Sequence, residues 1–265
     1  MSTSGNIHTV SDNHSIKEAI ISFIVSSNIS NPRYYGELLE KEGALYDLYH
    51  KFEPLKQVEV KISKDKVGST VHHLEDAGFK LVALKEGKIT DIIQGINQGS
   101  RQAIFTFNTI NYSGWDSYSS SVLNAAKAIA NYNENFSVIA FSLLYIDEFF
   151  FKSAQDYNPK EIFNLRSNRL PKGIEDSEFV DFNLNLKKQK EEKEFVENLS
   201  VKVFDIEERK IINITNNITF SISPTPFIDL LNNDYLKIFL NFVHEENKGV
   251  LRDILNNKII NSIGL

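Results

Sequence analysis

The chain contains no cysteine and only a few tryptophan, methionine, proline and glycine residues. Among 265 residues, Trp and Met occur once each, and there are six Pro and twelve Gly. Without cysteine the chain has no disulfide, no zinc–thiolate site and no thiol nucleophile. A chain of this length buries roughly 70–75% of the surface that its unfolded form exposes, so it needs no such cross-link to fold.

Long apolar runs are also missing. The longest one, residues 136–151, is interrupted by polar residues that include Asp147 and Glu148. It is shorter and more polar than the ~20 apolar residues of a membrane-spanning helix. Residues 1–15 are polar and do not resemble a signal peptide. We therefore expect a cytoplasmic protein that does not enter a membrane.

Neither a basic block nor a nucleotide-binding motif occurs. The net charge is −6, and the segment Lys187–Lys193 is of mixed sign, which predicts a solvated loop. A broad nucleic-acid-binding face is therefore not suggested. The glycine-rich phosphate loops and the Gly-x-Ser-x-Gly elbow are absent from the sequence. We expect no cofactor and no metal, and the sequence assigns no catalytic residue.

The patterns along the chain predict an α+β fold. Alternating β-branched and aromatic segments predict strands, the first at Ile16–Val25, and Glu86-Gly87 is typical of a hairpin turn. Apolar residues at helical spacing predict a helix from Trp115 to Tyr132. Tight turns between strands indicate a largely antiparallel sheet with helices packed on one face. In the second half we expect a strand meander closed by C-terminal helices.

The predicted domain organisation has four parts. These are a flexible leader at 1–15, an N-terminal α+β domain at 16–152, a connection at 153–177, and a C-terminal meander with helices at 178–265. The pattern leaves open whether the two halves form one continuous domain or two lobes. Within them we also expect a short helix at Val71–Ala77, and a break between two C-terminal helices at 247–249, where Gly249 stands.

One strand carries a fragment that suggests metal-dependent chemistry. In residues 57–61, Glu59 and Lys61 alternate with Val58 and Val60. Triphosphate tunnel enzymes use Glu-x-Glu-x-Lys to bind phosphates through metal ions, but Gln57 stands at the first Glu here. Alternation of charged and apolar residues is also what a solvated strand face produces, and we favour that interpretation.

Other conspicuous residues also have two interpretations. Asp147 and Glu148 either place a carboxylate in a buried functional site or mark the exit of a strand to solvent, which we favour. Trp115 either packs under its helix, which we favour, or offers an aromatic platform to a partner. His244 is expected at a helix end, and His72-His73 on a solvated helix face.

Four short segments resemble a sporadically distributed family of uncharacterised bacterial proteins. They are Ile16–Ile20, Tyr112–Asp116, Leu143–Asp147 and Val243-His244 followed by a helical tail. The chain departs from that family at Leu144, where an Arg is expected. The resemblance implies an α+β protein without known activity. Its patchy distribution is similar to that of mobile-element genes, including phage-defence and toxin–immunity modules.

Three functional hypotheses follow. The leading one is a non-enzymatic binding or regulatory subunit that recognises a partner protein, with Tyr112, Trp115, Tyr145 and Asp147 as binding residues. The second is a metal-dependent phosphohydrolase or nuclease that uses Glu59, Lys61 and Asp147. The third is a self-assembling structural protein, for which the edges of the sheet would matter. The sequence leaves the oligomeric state open.

Overall fold

The structure is a computed structural model that describes residues 7–11, 14–41, 45, 47–62, 69–99, 101–131, 136–190 and 192–265, with the side chains of 41 and 57–76 excepted. The strands are β1 (Ile7–Thr9), β2 (Ile16–Val25), β3 (Lys51–Ile62), β4 (Ser69–Lys85), β5 (Lys88–Gln98), β6 (Gln102–Thr109), β7 (Ser137–Phe151), β8 (Val180–Lys190), β9 (Lys193–Ile206) and β10 (Arg209–Pro226). The helices are α1 (Tyr34–Lys41), α2 (Trp115–Asn131), α3 (Pro159–Ile162), α4 (Phe227–Asn232), α5 (Asp234–Ile254) and α6 (Asn257–Ser262).

The ten strands form one antiparallel sheet. Its order is β3-β4-β5-β6-β2-β7-β10-β9-β8, and β1 pairs with β7 beyond the start of β2. The pairing of β7 with β10 joins the two halves of the chain, so the sheet is continuous across the expected connection. The prediction of a mostly antiparallel sheet combined with helices is confirmed.

Phenylalanine and β-branched residues fix which face of the sheet the helices cover. From Phe141 to Phe151, every second residue of β7 is buried. Phe141 and Phe220 lie opposite each other in the register, and their rings stack with centroids 5.7 Å apart. The larger core cluster lies between this face and α1, α2, α4 and the first half of α5. A smaller cluster lies under the end of α5, α3 and α6.

The opposite face carries half-buried side chains. One row across five strands consists of Ile92, Asn108, Ile20, Leu144 and Asn217 in neighbouring register positions. Each of these five side chains is partly exposed. Leu144, at which an Arg was expected, therefore points away from the side on which its neighbours Leu143 and Tyr145 are buried.

Both edges of the sheet carry residues that oppose the addition of another strand. β3 contains Pro54, which cannot donate a ladder hydrogen bond. β8 contains exposed Lys187 and Lys190, and charged residues on an edge discourage pairing with another chain. The edges therefore do not favour self-assembly by strand addition.

Three local predictions were wrong. Val71–Ala77 belongs to β4 rather than to a helix, because it pairs along β3 through a bulge. Most of Lys187–Lys193 lies in the paired ends of β8 and β9 rather than in a loop. Ile7–Thr9, within the expected leader, forms β1, since Ile7 packs into the smaller core cluster.

The predicted break in the C-terminal helices was also wrong. α5 runs without interruption through Asn247 and Gly249 and ends before Leu255. Asn247 is buried, and its amide donates to the carbonyl of Val243 while its side-chain oxygen accepts from Asn216, 2.7 Å away. These two hydrogen bonds hold Asn247 inside the helix, which therefore continues past the expected break.

A buried tyrosine ties α2 to the sheet. The Tyr118 hydroxyl accepts the backbone N–H of Ile21 at 2.9 Å and lies 2.7 Å from the carbonyl oxygen of Phe107. We expect Tyr118→Phe to lower the free energy of unfolding by about 1–3 kcal/mol, because the Ile21 N–H loses its partner. Urea denaturation measures this. Tyr235→Phe, at an exposed position, is the control, and an equal loss there would contradict the assignment.

Candidate functional site

The four residues predicted to bind a partner meet in one place. Tyr112, Trp115, Tyr145 and Asp147 line a cavity of about 180 Å³ between the sheet, α2 and α5. We call it the Asp147 cavity. His14, Ser15, His244 and Lys248 also line it. Tyr112, Trp115 and His244 are only half-buried, so solvent reaches the cavity along these side chains.

The strands place two of these side chains next to each other. Tyr145 and Asp147 are separated by one residue on β7, so both point to the helix-covered face. β2 runs beside them, with Ala19 opposite Tyr145 and Ile16 opposite Asp147. This register brings Ser15, immediately before β2, next to the carboxyl group.

Asp147 forms the most deeply buried part of the cavity. Its exposed fraction is 1%, and the Ser15 hydroxyl donates to its Oδ1 at 2.6 Å. The backbone N–H of Glu148 donates to the Ser15 carbonyl, which fixes Ser15. Burial raises the pKa of Asp147 to about 7, and the Ser15 hydrogen bond offsets this only in part. The favoured prediction of a strand exit at Asp147 was wrong, because β7 continues to Phe151.

Trp115 and His244 form one wall of the cavity. Their rings stack with centroids 4.5 Å apart and an angle of 3° between the planes. The Trp115 indole N–H donates to Asn241 Oδ1 at 2.7 Å, which holds the indole against α5. Gly114, with φ of +140°, gives the chain the backbone conformation that turns it into α2. Trp115 therefore packs between helices and also borders the cavity.

His244 lies in the middle of α5, not at a helix end as expected. Its Nδ1 lies 2.9 Å from the hydroxyl of Tyr145. Burial lowers the pKa of His244 to about 4. The imidazole is therefore neutral at pH 7, and its Nδ1 can accept the Tyr145 hydroxyl proton.

Two tyrosines and a histidine complete the aromatic lining. The rings of Tyr112 and Tyr145 meet edge to face with centroids 5.9 Å apart. His14 meets Tyr112 in the same way at 5.4 Å, and its Nε2–H donates to the Tyr112 carbonyl at 2.8 Å. His14 Nδ1 is buried and has no hydrogen-bond partner among the described residues.

The basic residues near the cavity have other partners. The ammonium group of Lys248 lies 3.0 Å from a carboxylate oxygen of Glu245. On the other face of the sheet, Lys17 pairs with Glu148 at 2.6 Å. Within the described part of the chain, no Lys or Arg forms an ion pair with Asp147.

The residues of the metal-enzyme hypothesis do not meet. Glu59 and Lys61 lie on β3, and five strand spacings separate β3 from the strand of Asp147. Spacings of about 4.8 Å give about 24 Å, whereas ligands of one ion lie only ~2.0–2.6 Å from it. The side chains of Glu59, Lys61, His72 and His73 lie outside the described residues. Among the described ones, no three His, Asp or Glu side chains are grouped to hold a metal ion.

Sequence reasoning missed the polar residues that complete the site. Ser15 and His14 precede the first predicted strand, and Lys248 lay in a predicted helix break. The segments that carry the family resemblance contained the available clue. Each contributes at least one lining residue, and together they contribute Ile16, Tyr112, Trp115, Tyr145, Asp147 and His244.

Comparisons with known proteins do not place this site in a known family. No protein-family model matches the chain, and no curated protein or solved structure matches it significantly. The helices in the described part of the chain are each too short or too polar to cross a membrane.

Proposed function

We propose that this chain is a non-enzymatic binding subunit that holds a group of a partner protein in the Asp147 cavity. The observation that carries the proposal is the meeting of Tyr112, Trp115, Tyr145 and Asp147 around one space. These residues come from two sequence regions more than twenty positions apart, and the fold joins them. Tyr and Trp are the residue types most enriched at binding hot spots.

The size of the cavity supports a protein partner over a free metabolite. Pockets that enclose small molecules usually measure about 300–1,000 Å³. The Asp147 cavity, at about 180 Å³, is smaller. A space of this size suits one side chain that a partner inserts while the rest of the partner contacts the surrounding surface.

For the biological role of the binding subunit, we propose a bacterial phage-defence or toxin–immunity module. The family resemblance of the four short segments supports this role. In such a module the partner would be encoded next to this chain. Genomic neighbours are therefore the first partners to test.

Co-expression with the genomic neighbours, followed by native mass spectrometry, tests the proposal. We expect a complex of defined stoichiometry. We expect Trp115→Leu to weaken it by about tenfold or more, because the variant removes an aromatic wall of the cavity. Tyr235→Leu, at an exposed aromatic residue of α5 outside the cavity, is the matched control and should leave the affinity unchanged.

Thermal unfolding of both variants shows whether a loss of binding reflects a loss of folding. A complex that forms equally well with Trp115→Leu would contradict the proposal. So would a chain that stays alone with every neighbour.

A further inference from the structure

The Asp147 cavity combines two features that favour a positively charged guest. Its walls include the aromatic rings of Tyr112, Trp115 and Tyr145. Its carboxyl group, Asp147, is buried and receives a hydrogen bond from Ser15. Aromatic faces attract a cation within about 6 Å of the ring centroid, and a carboxylate binds it more strongly.

We propose that the group held in the cavity is the ammonium group of a lysine side chain of the partner, either unmethylated or methylated. The Asp147 carboxylate is its counter-ion. This inference rests on the proposed function, because it names the chemistry of the same site. An anionic guest would be repelled by Asp147. A neutral apolar guest would leave the carboxylate buried without a counter-charge, which is unfavourable.

The two carboxylate oxygens of Asp147 differ in their hydrogen bonds. The Ser15 hydroxyl donates to Oδ1, and no hydrogen bond from a described residue reaches Oδ2. His14 also lines the cavity. An ammonium group has up to three N–H donors and no acceptor, so it complements Oδ2 of Asp147.

The other titratable groups around Asp147 do not supply the missing charge. Burial keeps His244 neutral by lowering its pKa to about 4. Burial also raises the pKa values of Tyr112 and Tyr145 above the usual range, which keeps both hydroxyls protonated. Lys248 on α5 is paired with Glu245. His14 donates through Nε2 to the Tyr112 carbonyl, and no hydrogen bond joins its ring to Asp147 among the described residues.

Choline is a suitable probe of the charge, because its quaternary ammonium group does not titrate and has no N–H donors. It therefore tests the attraction of a cation to Asp147 and the aromatic rings, apart from any hydrogen bonds. Its neutral analogue, in which carbon replaces the nitrogen, has the same shape without the charge. Trp115 is the only tryptophan of the chain and lines the cavity, so its fluorescence reports binding directly. We expect choline to bind about ten times more tightly than the neutral analogue.

The affinity for choline should rise with pH. A carboxyl group with a pKa of about 7 is about 3% ionised at pH 5.5 and about 97% ionised at pH 8.5. The affinity for choline should therefore rise about eightfold, from near the level of the neutral analogue to nearly the full tenfold advantage. Asp147→Asn should remove this dependence and reduce choline binding to the level of the neutral analogue. Asp229→Asn, which removes an exposed charge on α4 outside the cavity lining, is the matched control and should change little.

Equal binding of choline and its neutral analogue would overturn the inference, and so would a pH-independent choline affinity. Both measurements use the unmodified protein, so they decide even if Asp147→Asn fails to fold. If choline does not bind but Trp115→Leu still weakens the partner complex, the inference fails and the proposed function stands. If choline binds as expected but no partner depends on Trp115, the inference is supported and the proposed function fails.

Discussion

Asp147→Asn is expected to become more stable relative to the unmodified protein as the pH rises. The pKa of Asp147 is about 7 in the folded chain, against 3.8 for the unperturbed group. Between these values the folded state binds more protons than the unfolded state, so the contribution of Asp147 to stability falls with rising pH. It is fully present below pH 3.8 and is lost as the pH passes through 7.

The full difference amounts to about 4 kcal/mol, since one pKa unit corresponds to about 1.4 kcal/mol. Urea denaturation at about pH 4 and pH 8.5 measures it. At each pH, the free energy of unfolding of the unmodified protein is subtracted from that of the variant, and the two differences are compared. Comparing the two proteins cancels the other titrating groups. Asn keeps the shape of Asp and can still accept from Ser15. A difference in the free energy of unfolding that does not change with pH would contradict the buried position of Asp147.

Glu197→Gln is expected to lower the free energy of unfolding by about 3–5 kcal/mol. Glu197 on β9 is 0% exposed and accepts from Arg169 and, at 2.7 Å, from Lys188. Arg169 also pairs with Asp253 of α5 at 2.9 Å. Removal of the Glu197 charge leaves the partly buried Lys188 without this acid partner and leaves Arg169 with Asp253 alone.

The matched control for Glu197 is Glu194→Gln on the same strand. Glu194 pairs with Lys187 at 3.1 Å, but both side chains are more than half exposed. Exposed pairs contribute about 0–1 kcal/mol, so the control should change little. Urea denaturation compares the two variants. Equal losses of unfolding free energy would show that Glu197, through Arg169, does not hold the 153–177 connection to the sheet.

Much of the sheet could be predicted, because alternation identifies strands directly. The hairpin around Glu86-Gly87 followed from turn chemistry, and both residues have positive φ in the structure. The errors came where alternation was weak. Val71–Ala77 contains two adjacent histidines and two acids. Neither the two-residue period of a strand nor the 3.6-residue period of a helix dominates there. Gly249 looked like a helix break because a pattern alone does not show that the surrounding helix is held by packing.

The candidate site could be predicted only as separate residues. Trp115 and Asp147 were conspicuous by type, but their meeting depends on the strand order β2-β7-β10 and on the path of α5. The depth of Asp147 depends on where β7 ends, and strand ends are the least certain part of a pattern. His14 and Ser15 had no pattern at all, since they enter the site through the register of the next strand.

Hydrogen exchange on the partner complex shows where on the chain the partner binds. If the Asp147 cavity is the binding site, backbone amides in residues 110–116 and 241–248 will exchange more slowly in the complex than in the free chain. Those of the edge strands β3 and β8 will be unchanged. Slower exchange confined to β3 or β8, with the cavity segments unaffected, would show that the partner binds at an edge of the sheet and not at the Asp147 cavity.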